Sequence, residues 1–234
     1  ITTNGGNDPP VAAADSYSTN EDTAFGVNAG DPVNGHYLNG LLANDTDPDG
    51  NLLIVEYLTT TSNGTLTPHA NGSFSYTPNP NFFGSDSFTY RAFDGETTGN
   101  TVTVMITVNA VNDVPSFTKG ANQFVPMNSG QQTMTNWATA ISAGAANEAQ
   151  ALNFIVSNDN AAIFATEPAI APNGTLTFTP KQSKTGVANV TVQLHDNGGT
   201  ANGGVDTSAA QRFTITITTA AVAVVGTNTN DSGA

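Results

Sequence analysis

The sequence predicts an all-β protein made of two tandem β-sandwich domains, and three observations lead to this fold class. Its 234 residues suffice for two domains of the usual size of about 100–150 residues. Short stretches in which apolar and polar residues alternate, typical of strands with one buried face, are separated by Asn-Gly turns. The two halves also repeat the same motifs at a constant spacing, which indicates two copies of one fold.

The internal repeat is clearest in a turn and strand that occur once in each half. Asn71-Gly-Ser-Phe-Ser-Tyr-Thr-Pro78 matches Asn173-Gly-Thr-Leu-Thr-Phe-Thr-Pro180, which lies 102 residues further along the chain. Asp94 and Asp196 are separated by the same 102 residues, and each follows a stretch of alternating polarity. We therefore expect these stretches to be equivalent strands of two similar sandwiches.

The other strands are predicted from the same alternation of polarity. In the first half they are Ala12–Tyr17, Ala24–Val27, Leu52–Leu58, Ser85–Phe93 and Val102–Val108. In the second half they are Leu152–Ser157, Thr175–Thr179, Val187–His195 and Phe213–Thr218. Aromatic residues at alternating positions are expected in the two cores: Phe74, Tyr76, Phe88, Tyr90, Phe154 and Phe178.

A linker separates the two halves. Asn109-Ala-Val-Asn-Asp-Val-Pro115 follows the last predicted strand of the first half, and its proline disfavours a continuing strand. We place the first domain at residues 1–111 and the second at residues 112–234, which ends in a polar tail. Asn7-Asp-Pro-Pro10 repeats the linker motif near the start of the chain, as expected if another domain precedes it or if a mature N-terminus begins there.

The composition narrows the choice of partners. Five Lys and Arg residues stand against 19 Asp and Glu residues, so the formal net charge is -14. This charge repels phosphate backbones and anionic lipids, which argues against nucleic acid or a membrane surface as partner. Most carboxylates have no basic residue to pair with, which favours metal cations as partners. The sequence contains no Cys, so thiolate chemistry is excluded. It also contains no apolar run long enough to span a membrane, which argues against membrane insertion.

An acidic loop predicts calcium binding. Asp45-Thr-Asp-Pro-Asp-Gly50 places three carboxylates at alternate positions before a glycine, as in loops that wrap oxygen ligands around calcium. Glu56 completes the spacing of an EF-hand loop, but the strand formers of Leu52–Leu58 argue against the helix that an EF-hand requires. A solvated acidic turn is the alternative to a calcium-binding loop.

The order of several motifs resembles the bacterial cadherin-like repeats of large secreted adhesins. The motifs are Asn7-Asp-Pro-Pro10, Asn20-Glu-Asp-Thr23, Leu41-Leu-Ala-Asn-Asp-Thr-Asp-Pro-Asp-Gly50, Phe83-Gly-Ser-Asp-Ser-Phe-Thr-Tyr90 and Asn112-Asp-Val-Pro115. The second half lacks the triple-aspartate loop and resembles a diverged immunoglobulin-like relative. The resemblance implies two immunoglobulin-like (cadherin-like) sandwiches.

The resemblance also implies calcium ions at the domain junctions. Matching the family's motifs assigns one site to Glu21, Asn112, Asp113, Glu148 and Asp196. A second site, at the N-terminal end of the first domain, would use Asp8, Asp45, Asp47, Asp49 and Asp94. Glu148 is included because it stands in the second half where Asp47 and Asp49 stand in the first.

Together these features predict a non-enzymatic, calcium-binding module of an extracellular bacterial adhesin, acting as a stiff spacer between neighbouring domains. Neither G-x-S-x-G nor H-E-x-x-H occurs, and the three His residues are scattered. Two alternatives remain. The first is a filament subunit, in which the apolar segment Thr219–Val225 would be donated as a strand to the next copy of the chain. The same segment is otherwise interpreted as a frayed final strand. Host or matrix glycans would bind through loops, with Trp137 either as a platform for sugars or packed at the sandwich edge.

Overall fold

The structure is a computed structural model, and it describes residues 6–29 and 40–219. These residues form strands and short 3-10 turns without an α-helix, which confirms the all-β prediction. The chain divides into two compact units, Ile1–Val111 and Asn112–Ala234. In the described ranges, no helix has the length and apolar character needed to cross a membrane.

The first unit is a sandwich of two sheets. Its described strands are β1 (Asp15–Asn20), β2 (Phe25–Val27), β3 (Ile54–Tyr57), β4 (Gly64–Pro68), β5 (Phe74–Pro78), β6 (Gly84–Phe93) and β7 (Thr98–Asn109). One sheet has the order β1-β7-β6-β3 and the other has the order β2-β5-β4. β1 runs parallel to β7, and the remaining pairs are antiparallel.

Alternation along the strands places the aromatic residues of the first unit in its core. Phe74, Tyr76, Phe88 and Tyr90 are at most 2% exposed, as predicted. Each buried tyrosine hydroxyl reaches an acceptor: Tyr76 donates to Asp86 Oδ2 and Tyr90 donates to the carbonyl of Leu41, both at 2.8 Å. These bonds offset the cost of removing the hydroxyls from water.

The first strand begins three residues later than the alternation predicted. Side chains, not a neighbouring strand, satisfy the backbone just before it: Asn100 bonds to both the N–H and the carbonyl of Ala12 at 2.9 Å. The N–H of Ala13 donates to Asp45 Oδ1 at 2.8 Å. The sheet pairing with β7 therefore starts only at Asp15.

The second unit also consists of packed antiparallel sheets with one parallel edge. Its described strands are β8 (Ser116–Thr118), β9 (Gln123–Pro126), β10 (Gln132–Met134), β11 (Thr139–Ser142), β12 (Leu152–Asn158), β13 (Phe164–Ile170), β14 (Leu176–Pro180), β15 (Gly186–Asp196) and β16 (Gln211–Thr218). The larger sheet has the order β12-β15-β16-β9, with β9 parallel to β16. The smaller sheets have the orders β10-β14-β13 and β11-β8.

Trp137 belongs to the core of the second unit. Its side chain is 5% exposed, its ring centroid lies 4.3 Å from that of Phe213, and its Nε1 donates to the carbonyl of Ala121 at 3.0 Å. The structure therefore contradicts a role as a surface platform for sugars. Of the segment Thr219–Val225, which would donate a strand in a filament, all but Thr219 lies outside the described residues.

Candidate metal centre

In the first unit, the side chain of the linker residue Asn7 forms hydrogen bonds with the turn that follows β6. Its side-chain amide donates to Asp94 Oδ2, and Asn51 donates to Asn7 Oδ1, both at 2.7 Å. Burial acts to raise the pKa of Asp94, but hydrogen bonds from Thr97, Asn7 and Glu96 outweigh it and hold that pKa well below its ordinary value. Asp94 is therefore a fixed, ionised carboxylate.

The triple-aspartate loop folds around one of its own carboxylates. Asp47 Oδ1 accepts the backbone N–H groups of Asp49 and Asn51, both at 2.9 Å, and Gly50 turns the chain with a φ of 74°. Asp49 Oδ2 in turn accepts the backbone N–H of Asp8 at 2.7 Å. The linker thus joins the loop through Asp8 and the turn after β6 through Asn7.

One oxygen in this loop has no donor. Asp47 Oδ2 is buried and forms no hydrogen bond within the described structure. Removing a carboxylate oxygen from water without a hydrogen-bond donor costs about 1–3 kcal/mol or more, and a cation at this oxygen would offset that cost.

Asp45 faces the core side of the loop and is set apart from this network. The hydroxyl of Tyr90 lies 3.1 and 3.2 Å from its two oxygens and 3.2 Å from Asp15 Oδ2. The single phenolic proton of Tyr90, whose shortest contact is to the carbonyl of Leu41, cannot also serve both carboxylates. Burial, followed by the charge of Asp45, raises the pKa of Asp15 to about 6, and burial also raises the pKa of Asp45.

Replacing Asp15 with asparagine is expected to stabilise the first unit at pH 7 by about 1–2 kcal/mol, allowing for partial solvent screening. The folded pKa of Asp15 lies above its unfolded value, so its ionisation weakens the wild-type fold as pH rises from about 4 to about 6. Urea unfolding in EGTA, followed by tyrosine signals at several pH values, should show the two proteins converging near pH 4. An advantage of equal size at pH 4 and pH 7 would contradict this account.

In the second unit, the linker residues Asn112 and Asp113 form equivalent hydrogen bonds. The side-chain amide of Asn112 donates to Asp196 Oδ1 and to the carbonyl of Val205, both at 2.9 Å. The backbone N–H of Asp113 donates to Glu148 Oε1, also at 2.9 Å. Glu148 Oε2 accepts the backbone N–H of Ala145 at 3.0 Å, so each of its two oxygens accepts a backbone hydrogen bond.

The two units thus build the same pair of contacts from residues that lie 99 to 105 positions apart in the sequence. In each, the linker asparagine donates to the aspartate after the long hairpin strand, and the next backbone N–H donates to a loop carboxylate. The pairs are Asn7 with Asp94 and Asp8 with Asp49 in the first unit, and Asn112 with Asp196 and Asp113 with Glu148 in the second. Glu148 therefore makes the contact that Asp49 makes.

The second unit also holds buried oxygens without donors. Asp196 is 0% exposed, and its Oδ2 has no hydrogen-bond partner among the described residues. Gln150, which the sequence analysis missed, donates its amide to Asn112 Oδ1 and leaves its Oε1 buried and unpartnered. A Cβ at Gly198 would collide with Asn112 and Gln150, so the glycine-rich loop lies directly on these groups. A lone glutamine carries no sequence signal that could have identified it.

Glu21 lies in the first unit, at the end of β1. It is 7% exposed, accepts the backbone N–H of Val111 and donates its own N–H to the carbonyl of Asn109 at 2.9 Å. Its described contacts therefore hold the last residues of the first unit, and the predicted grouping of Glu21 with residues of the second unit stays a prediction.

The oxygen atoms of both clusters are of the kinds that bind calcium. Within residues 6–29 and 40–219, no three His, Cys, Asp or Glu side chains form a group able to hold a metal by themselves. Calcium takes six to eight oxygens and readily includes amide oxygens, backbone carbonyls and water with its carboxylates. The unpartnered oxygens of Asp47, Gln150 and Asp196 are of this kind. Any bound calcium would therefore draw on amide, carbonyl or water oxygens as well.

Comparison with known proteins gives a family match for the first unit. The family model described as "Bacterial cadherin-like domain" matches residues 7–110, which include Asn7 and Asp94. The match spans nearly all of the first unit, which is similar to this family, and it does not reach the second unit. Such domains are extracellular adhesion-type modules, and the cadherin-like family is one of adhesion domains rather than enzymes.

Solved structures extend the fold likeness over both units of the chain. It is similar to the EC1-2 fragment of human protocadherin-24, with a TM-score of 0.58 at 15% identity, covering 91% of this chain and 100% of that one. A second crystal structure of the fragment gives 0.53 at 14% identity, covering 92% and 99%. At these identities the likeness shows the two-sandwich fold alone.

One curated relative shares sequence with the chain. The "Integrin beta-like protein C" of Dictyostelium discoideum is 29% identical over 150 residues, which cover 57% of this chain. The matched part is only 7% of that protein's length.

Proposed function

We propose that the chain is a calcium-binding structural module of an extracellular bacterial adhesin, with its tandem sandwiches serving as a stiff spacer. The observation that supports this most is the repeated linker contact beside a buried carboxylate oxygen without a donor. It occurs in both units, at Asp47 in the first and Asp196 in the second.

Two sets of residues would hold the ions. In the first unit they are Asp8, Asp47, Asp49 and Asp94, with Asn7 and Asn51 as neighbours and Asp45 on the core side of the loop. In the second unit they are Asn112, Asp113, Glu148, Gln150 and Asp196. Bound calcium would supply positive charge that offsets the repulsion among carboxylates in a chain of formal charge -14.

The residues on either side of the domain boundary are each held by their own unit. Val111 donates to Glu21 within the first unit, and the next residue, Asn112, is fastened to Asp196 within the second. No residue between these two is left to act as a free linker.

The test is calorimetric titration of EGTA-treated protein with calcium. We expect saturable binding with Kd values of about 0.1–1 mM, the range of extracellular calcium modules. Asp47→Asn and Asp196→Asn should each remove part of the heat. Glu167→Gln is the matched control, because it removes one exposed charge outside both clusters and should leave the titration unchanged. Absence of saturable calcium heat in the wild-type protein would refute the proposed function.

A further inference from the structure

A polar groove crosses the outward face of the larger sheet in the second unit. It has a volume of about 500 Å3, within the range of about 300–1,000 Å3 that is typical of small-ligand sites. Its lining comes from β12, β15 and β16: Ser157, Asn158, Asp159, Asn189, Thr191 and Arg212. None of these residues belongs to the calcium clusters.

Three of the lining residues form a row across the sheet. Ser157 pairs with Thr191, and Thr191 pairs with Arg212, so their side chains follow one another at the strand spacing of about 4.8 Å. In the described part of the chain, none of the three side chains forms a hydrogen bond or ion pair with the protein. The row therefore presents two hydroxyls and one guanidinium to solvent without internal partners.

The other polar groups of the groove are held in place. Asp159 Oδ1 accepts the backbone N–H of Asn189 at 2.7 Å, and Oδ2 accepts the side-chain amide of Asn189 at 2.6 Å. These bonds, the side-chain bond first, hold the pKa of Asp159 below its ordinary value. Asp159 is thus held in place by Asn189, its remaining lone pairs can accept hydroxyl protons of a ligand, and Arg212 is the one cation among the described lining residues.

The geometry points to a saccharide that carries a carboxylate, such as a uronate unit, as the ligand of this groove. The guanidinium of Arg212 matches a carboxylate in a bidentate arrangement, and the hydroxyls of Ser157 and Thr191 match sugar hydroxyls. Ser157, Thr191 and Arg212 stand on the face of the sheet rather than along its edge, so a peptide bound to them would not be adding a strand. Residues 112–234 contain seven acidic and four basic residues, so this unit repels anions far less than the first.

An aromatic ring on the same face extends the site. Phe124 of β9 is 71% exposed and pairs with Thr216 of β16, on the outward side of the sheet. Thr216 lies four residues beyond Arg212, or about 13 Å along the strand. The apolar face of a sugar ring stacks on such a ring, so an oligosaccharide would contact both Arg212 and Phe124.

The experiment is calorimetric titration of the intact chain with a galacturonate tetrasaccharide, in EGTA to exclude bridging through calcium. We expect saturable binding that weakens about tenfold or more in Arg212→Gln, because one charge-assisted contact is lost. Lys181→Gln is the matched control in the same unit and should bind as wild type does. Trp137 fluorescence verifies that each variant is folded.

Three further arms distinguish other occupants. The same tetrasaccharide with its carboxyl groups reduced should bind much more weakly, and equal binding would overturn the requirement for a carboxylate. Tetraglutamate should not compete, and competition at equal concentration would identify a peptide site instead. Wild-type binding that is lost in EGTA or unaffected by Arg212→Gln would also refute the proposal, whether or not the chain binds calcium.

Discussion

The first unit is expected to lose about 3–5 kcal/mol of its free energy of unfolding when Asp86 is replaced by alanine. Asp86 is 3% exposed and accepts hydrogen bonds from the N–H groups of Ser62 and Asn63 and from the hydroxyl of Tyr76. Alanine would leave these buried donors without an acceptor. The carboxylate is therefore the anchor of the turn between β3 and β4.

The two units can be followed separately during urea unfolding. All five Tyr residues precede residue 91, and the one Trp is Trp137. The tyrosine near-ultraviolet signal should shift to lower urea in Asp86→Ala, while the tryptophan transition stays in place as an internal control. A shift smaller than about 1 kcal/mol would be typical of a surface substitution and would contradict the anchoring role.

The contribution of Asp86 should vanish in acid. Burial acts to raise the pKa of Asp86, but the bonds from Ser62, Tyr76 and Asn63 outweigh it and lower that pKa. A carboxyl whose folded pKa is depressed stabilises the fold above its unfolded pKa of about 3.9 and loses this effect as pH falls through the folded value. The stability difference between the wild type and Asp86→Asn should therefore shrink below about pH 4.

The sequence predicted the long strands well and the short ones poorly. β6 and β15 alternate over ten and eleven residues, so their period is clear, and the predicted core residues of β6, Phe88 and Tyr90, are buried. β8 and β10 have only three residues each, too few to show a period. β13 contains a proline and pairs with β14 through register shifts, so its pattern is irregular.

The candidate site was predictable only where motifs repeat. The spacing of Asp94 and Asp196 and the two linkers located both clusters, and the contacts of Asp49 and Glu148 agree with their assigned equivalence. Gln150 was missed because its role depends on the close approach of a glycine-rich loop, which has no local sequence pattern. The separate orientation of Asp45 depends on the position of Tyr90, which lies 45 residues away in sequence.

Asp196→Asn is expected to abolish the calcium-dependent stabilisation of the second unit. With free calcium at 100 times its Kd, binding to the folded state should add about 2.7 kcal/mol, and a small domain then melts roughly 10–20 °C higher. Asparagine offers one oxygen and no charge in place of the carboxylate. In calcium, the tryptophan transition of the variant should therefore occur at the same temperature as in EGTA. The tyrosine transition should still move to higher temperature when calcium is added.

The same substitution should act in the opposite direction without calcium. In EGTA the buried Oδ2 of Asp196 has neither a donor nor a cation, so removing its charge should leave the second unit equally stable or more stable. Asp47→Asn provides the reciprocal comparison, because only the tyrosine transition should lose its response to calcium. If the carboxylate of Asp196 were structural and bound no ion, its replacement would instead destabilise the second unit equally in both buffers. The reversal of sign between the two buffers therefore separates an ion ligand from a buried hydrogen-bond acceptor.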